Sequence, residues 1–259
     1  MGTEAIETTI STGTLRGSVT DGIRRFLGIP YAAPPFGSRR FRLPAAPDAW
    51  VGVRDATQFG PSAPQTPYRG RIGELLPSLT SDGTNEDILT VNVWAPTDAT
   101  DPASGPLPVV LWIHGGAFER GGSSIAGYDG TSFARGGVVF VSANYRLGSE
   151  GFSVLEDAPR NLGLEDVAAA LRWTHAEIAA FGGDPSRITV MGESAGGALV
   201  AALLSNQTRD ETTWIHQAAD ALQSALGASA ATTRAQHEAW WANFWSRSHV
   251  VIANMGRKL

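Results

Sequence analysis

Three short apolar runs, residues 109–113, 138–141 and 188–191, are built almost entirely from Val, Ile, Leu and other apolar side chains. A strand with one wet face alternates polar and apolar residues, so continuous runs this short read as strands buried on both faces of a parallel sheet. Between the second and third runs, Leu164, Val167, Ala168, Leu171, Ile178 and Phe181 recur at helical spacing, and Gly182-Gly183-Asp184-Pro185 stops the helix. Strand, helix, strand is a βαβ unit, which makes the chain an α/β protein: a mixed, mostly parallel sheet flanked by helices. Nearer the start, residues 14–20 and 23–29 flank Asp21-Gly22, a pair suited to a tight hairpin, and residues 88–94 alternate as a half-buried strand does.

The composition changes near residues 206–211. All 15 prolines lie at or before Pro185, and of the 30 glycines only Gly227 and Gly256 lie beyond Gly197. Four of the 8 tryptophans, Trp214, Trp240, Trp241 and Trp245, fall in the tail, among Ala-rich stretches that favour helix. The expected organisation is one α/β domain over 1–206 and a helical, Trp-rich tail over 207–259. That tail packs on the domain or joins a second copy of the chain, because its aromatic residues cover too many faces of one helix to be buried on one side. The net charge of −5 and the lack of a basic block argue against nucleic acid or an anionic membrane surface as partner. No apolar run approaches the ~18 residues of a membrane span, and the polar start has no signal-like stretch. With no cysteine there is no disulfide and no thiolate, and a cytoplasmic setting is favoured.

Gly192-Glu193-Ser194-Ala195-Gly196 matches Gly-x-Ser-x-Gly, a pattern that chance alone gives about one time in ten in a chain this long. Its context is what carries weight. A β-rich run enters it and an Ala/Leu helix from residue 197 leaves it, the strand-to-helix elbow that lifts a serine hydroxyl above a sheet. His114-Gly115-Gly116-Ala117-Phe118 closes another buried run, where glycines let backbone amides approach an oxyanion. Ser194 is the candidate nucleophile, and the amides of Gly115, Gly116 and Ala195 are the candidate oxyanion hole.

Further stretches are similar to the type-B carboxylesterase and cholinesterase family. They are Phe26-Leu27-Gly28-Ile29-Pro30-Tyr31-Ala32, Arg40-Phe41, Trp50, Phe59-Gly60-Pro61 and Glu86-Asp87-Ile88-Leu89-Thr90-Val91-Asn92-Val93-Trp94. Asn144-Tyr145-Arg146-Leu147-Gly148, Asn161-Leu162-Gly163-Leu164 and Phe181-Gly182-Gly183-Asp184-Pro185 continue the resemblance in the family's order. It spans about residues 10–206 and implies an α/β-hydrolase fold whose serine is acylated by a carboxylic ester. It also implies a family cysteine pair at two positions filled here by Ala63 and Ile88. The family's acid and histidine follow the serine well downstream. Residues 210–259 carry no such resemblance, so the fold is expected to be a truncated α/β-hydrolase with an unrelated tail.

A serine hydroxyl needs a general base within hydrogen-bond reach. His114 belongs to the oxyanion loop and reads as holding its shape, and His175, in the helix before Gly182, reads as a surface residue. His216 has Asp220 four residues on, a pair that shares one helix face. A helix over 195–206 travels ~18 Å from Ser194, so a return helix over 213–226 starts with His216 at the far end. A third helix from about 234 brings His237 back near the serine in its first turn. His237 is the best-placed candidate base, although a histidine beside Trp240, Trp241, Phe244 and Trp245 is more often a packed interface residue. His249 opens a run, 250–253, read as a parallel strand covering the sheet edge, with His249 at the bottom of the sheet. No histidine pair has metal-ligand spacing, and the glycines lack a Walker lysine, so no metal and no cofactor is expected.

The reading is a serine ester hydrolase for short-chain or small aryl esters, working through an acyl-Ser194 intermediate. Its rival is a residual carboxylesterase-like scaffold that binds without turning over, favoured by the missing family acid and histidine.

Overall fold

The computed structural model describes residues 4–66, 86–205 and 250–254. Nine strands form one mixed sheet: β1 (Glu4–Ile10), β2 (Gly13–Thr20), β3 (Ile23–Pro30), β4 (Val53–Asp55), β5 (Thr90–Pro96), β6 (Leu107–Ile113), β7 (Val139–Ala143), β8 (Gly183–Glu193) and β9 (Val250–Asn254). Their order is β1-β2-β3-β5-β7-β6-β8-β9, with β4 beside β2. The three apolar runs form its central parallel part, β6 lying between β7 and β8; antiparallel pairs continue the sheet on both sides, and the short β4 lies parallel to β2. The helices are α1 (Thr131–Arg135), α2 (Gly148–Phe152), α3 (Leu162–Glu177) and α4 (Ala195–Ser205). None of the described helices is long and apolar enough to cross a membrane.

The β2–β3 hairpin is the expected one, with Thr20 paired to Ile23. Asp21 and Gly22 both take left-handed backbone, φ 52° and 74°, the geometry whose twist matches the strands it joins. β5 differs from the half-buried strand expected, because it is buried on both faces. Val91, Val93 and Ala95 join the main core, while Trp94 joins a second cluster with Ile23, Leu27, Val110, Ala134 and Phe140. Lying between β3 and β7, it has strands on both edges and core on both sides. The main core takes Val167 and Leu171 from α3 and Leu199, Leu203 and Leu204 from α4, and the second cluster takes Ala134 from α1. Each fully buried side chain of this size contributes roughly 1.5–3 kcal/mol.

The expected edge strand is present as β9, but it runs antiparallel to β8, with Val250 opposite Glu193 and Asn254 opposite Thr189. A run of apolar residues fixes burial and leaves direction open, since either hydrogen-bond ladder satisfies its backbone. Consequently the amino end of β9, and not its far end, stands beside the elbow. His249 itself lies outside the described residues, as do His216, Asp220, His237 and the tail's tryptophans.

Polar side chains tie the strand ends together. The Arg146 guanidinium and Asp166 carboxylate are 1% and 0% exposed and pair at 2.6 Å. Arg146 Nε and its backbone N–H also donate to Asp166, and Nη1 donates to Arg42 O at 2.8 Å. Burial pushes the Asp166 carboxyl up, and the Arg146 donors pull it back. The pair fastens the chain after β7 to the first turns of α3. Breaking a buried pair leaves an uncompensated charge, at a cost of about 3–5 kcal/mol. Asp166→Ala is therefore expected to lower the unfolding free energy by about that amount in urea titrations, and a loss below about 1 kcal/mol contradicts this account.

Candidate active site

β8 ends at Glu193, and Ser194 turns the chain into α4 with φ 52°, a left-handed conformation that a side chain adopts only at a cost. Ala198 N donates to Ser194 O at 3.0 Å, the first bond of the helix. Ser194 is exposed while Gly192, Ala195 and Gly196 around it are buried. The turn is closed by two glycines: a Cβ on Gly192 would stand 2.5 Å from Gly196 C and O. A Cβ on Gly196 would meet Ile113 O, and His114 O at 2.6 Å, so the start of α4 lies directly on the end of β6.

The loop leaving β6 lies alongside. A Cβ on Gly115 would come within 2.9 Å of Glu193 O and 3.2 Å of Ser194 Cβ, so the two motifs touch. The chain then passes through Gly116, Ala117 and Phe118 with φ of 120°, 57° and 63°. Glu119 N and Arg120 N donate to Gly116 O at 3.1 and 3.0 Å, and Gly148 N donates to Phe118 O at 2.6 Å. Among the described residues the amides of Gly115, Gly116, Ala117 and Ala195 donate to no protein acceptor. Of these, Ala117 was not foreseen. Its only sequence signal is its place directly after two glycines.

His114 is 1% exposed, and its Nδ1 donates to Gly115 O at 2.8 Å. Its ring stacks on Tyr145 with centroids 4.4 Å apart, and the Tyr145 hydroxyl donates to His114 O at 2.9 Å. This imidazole shapes the loop, as expected. His175 lies in the last turn of α3, which begins near the carboxyl end of the sheet and runs back for 16 residues. The His114 Nδ1 proton is spent on Gly115 O and not on Ser194. Beside the elbow, Tyr128 OH donates to Glu193 Oε2 at 2.9 Å, and the Tyr128 ring lies 5.3 Å from that of Trp112.

Ser194, Gly115, Gly116 and Ala195 are thus brought together, while the best-placed candidate base, His237, falls outside the described residues. Sequence reasoning gives no role to Gln65, nor to Tyr145, although Tyr145 stands in a stretch that carries the family resemblance.

Burial pushes the His114 imidazole down to about 4 from 6.5, with the bond to Gly115 opposing the shift. The folded protein therefore stays unprotonated at His114 while the unfolded chain takes up a proton, and stability is lost as pH falls from about 6.5 to about 4. Between pH 7 and pH 5 the loss from this group is about 2 kcal/mol. In urea titrations at those two pH values, His114→Gln is expected to show a pH dependence smaller by that amount. Equal dependence in both proteins contradicts the buried neutral ring.

The chain matches the family model described as "Carboxylesterase family" over residues 4–251. It is 46% identical over 200 residues to the para-nitrobenzyl esterase of Bacillus subtilis (strain 168), covering 74% of this chain and 39% of that protein. It is 41% identical over 198 residues to the fumonisin B1 esterase of Sphingopyxis macrogoltabida, covering 73% of this chain and 35% of that protein. The crystal structure of the Geobacillus stearothermophilus carboxylesterase EST55 at pH 6.8 superposes with a TM-score of 0.66 at 45% identity, over 77% of this chain and 40% of that one. This chain therefore spans about two fifths of the length of these relatives, a stretch that holds the elbow, the oxyanion loop and the sheet between them. The α/β-hydrolase fold, the elbow geometry and the family match agree: the chain belongs to the carboxylesterase family.

Proposed function

We propose that the chain hydrolyses carboxylic esters, short-chain or small aryl ones, through an acyl-Ser194 intermediate. One observation carries this reading: an exposed serine in a left-handed elbow touches a loop whose amides are unspent. Ser194 Oγ attacks the acyl carbon and its proton passes to a base. The tetrahedral oxyanion accepts hydrogen bonds from the amides of Gly115, Gly116 and Ala195, with Ala117 adjacent to them. Collapse expels the alcohol, and water then releases the acid by the same steps. The amides are held by the backbone before substrate arrives, so little reorganisation is needed as charge develops. The proposed base is His237, from the rise of the expected helices. Neither the proposed base nor the bond-making steps need a metal or cofactor.

The second reading, a scaffold that binds without turnover, is favoured by a specific observation. The two candidate groups nearest the serine are spent elsewhere: His114 Nδ1 donates to Gly115 O, and the Glu193 carboxylate accepts from Tyr128 OH.

Hydrolysis of p-nitrophenyl acetate or butyrate separates the two. The purified chain is expected to turn both over, and Ser194→Ala to abolish turnover. Undiminished turnover in the variant assigns the activity elsewhere, and an inactive parent chain favours the scaffold. For the base, His237→Ala is expected to lower kcat by ~10²–10⁴-fold and His216→Ala to leave it unchanged. The reverse result makes His216, with Asp220, the base.

A further inference from the structure

One side chain grips the oxyanion loop from a different part of the chain. Gln65 Oε1 accepts from Gly121 N at 2.9 Å, while Gln65 Nε2 donates to Gly121 O at 2.8 Å and to Ala63 O at 3.1 Å. A primary amide facing a peptide in this way reproduces the pair of bonds that a neighbouring strand would make. The residue it grips is well placed to transmit position. Gly121 has φ 106°, and a Cβ there would press on Gly115 O and stand 2.6 Å from His114 Nδ1. Gly121 thus lies against the very bond, His114 Nδ1 to Gly115 O, that shapes the start of the oxyanion loop.

The loop's other supports act on either side of this point. Residues 116–120 close on Gly116 O. Ser123 N donates to Asn144 Oδ1 at 2.8 Å, and Asn92 Nδ2 donates to Ser123 Oγ at 2.9 Å. Between these anchors, Gly121 N and O both go to Gln65, so no backbone ladder fixes the place where the loop returns over its own beginning. The stretch that carries Gln65 is itself tied by Asn144 Nδ2 donating to Pro61 O at 3.2 Å, and Ala63 is buried. The side chain therefore bridges two fixed pieces of backbone.

We propose that Gln65 is a positioning residue for the oxyanion hole: by holding both polar groups of the Gly121 peptide, it sets the Gly115–Gly116 amides against Ser194. The proposal rests on the acyl-Ser194 reading for its kinetic consequence, whereas the clamp itself is physical and measurable without turnover. Gln65→Ala removes both bonds. Gln65→Glu keeps the length and the acceptor for Gly121 N, but loses the donor and sets a carboxylate against the Gly121 carbonyl.

Donors that act only on the developing oxyanion change kcat more than KM, and losing one costs about 10²–10³-fold, so a displaced set is expected to cost about 10–100-fold. Both variants should show that fall in kcat for p-nitrophenyl acetate, with KM within about threefold and cooperative unfolding retained. Affinity for a trifluoromethyl ketone, which adds to the serine as a tetrahedral anion, should fall in step with kcat/KM. Amide hydrogen exchange across residues 115–123 should be at least about tenfold faster in Gln65→Ala than in the parent chain. Turnover within about twofold of the parent in both variants overturns the proposal, as does a kcat loss that merely follows loss of the folded state. If the parent chain neither turns over an ester nor takes a fluorophosphonate label at Ser194, the acyl-enzyme reading fails. The exchange measurement then decides the clamp by itself: faster exchange in Gln65→Ala upholds it and unchanged exchange overturns it.

Discussion

Two loops that leave the neighbouring parallel strands β6 and β8 must lie in contact, and the glycines at the contact make this possible. Adjacent strands are only ~4.8 Å apart, so loops emerging at the same end of the sheet compete for one space. Gly196 lets the first turn of α4 rest on Ile113 O and His114 O, and Gly115 lets the other loop approach Glu193 O. A side chain at either position would force the elbow and the amides apart. The buried sheet below has a related task. With Val109, Leu111, Val141 and Val190 fixed in one core, the ends of these strands are held where the contact requires them.

Above the sheet, regular structure gives way to side chains that do the work of strands. Asn92 uses its whole amide, Oδ1 accepting from Gly28 N and Nδ2 donating to Ser123 Oγ and Ser142 Oγ. Tyr145, Asn144 and the Arg146–Asp166 pair, which follow β7 in sequence, hold the oxyanion loop, the 61–66 stretch and α3 respectively. Each such bond contributes only about 1 kcal/mol net, yet a buried group left without its partner costs about 1–3 kcal/mol. Satisfied networks of this kind select one loop arrangement over its competitors more than they add to stability.

What could be read from the chain and what could not divide along physical lines. The elbow, the hairpin and the buried runs were legible because a few adjacent residues determine each: Gly192 to Gly196 for the turn, Asp21-Gly22 for the hairpin. β5 reads as half-buried because it carries Asn92, yet that amide is satisfied inside the protein, accepting from Gly28 N and donating to Ser123 Oγ and to Ser142 Oγ on the facing strand β7. The direction of β9 was illegible because the same apolar residues fit either ladder. Gln65 escaped because its partner is 56 residues away, and only the folded backbone brings the two together. His237 was placed from helix rise alone, and it stands in a segment whose composition has no local stop or turn signal as strong as those of the first 200 residues.

The φ of 52° at Ser194 has a consequence for the balance between durability and reactivity. Ala117, Phe118 and Ser194 are three of the six non-glycine residues with positive φ among those described, and all three stand at the mouth of the site. Left-handed backbone at a residue with a Cβ costs about 1–2 kcal/mol, which glycine would not incur. A chain selected for toughness alone would relax there, and Ser194→Gly is the change that relaxes it. The sheet thus carries, at an exposed turn, a tension that glycine would release, and under the proposed acyl-Ser194 chemistry a hardier version of this molecule lies one substitution away in the direction of silence.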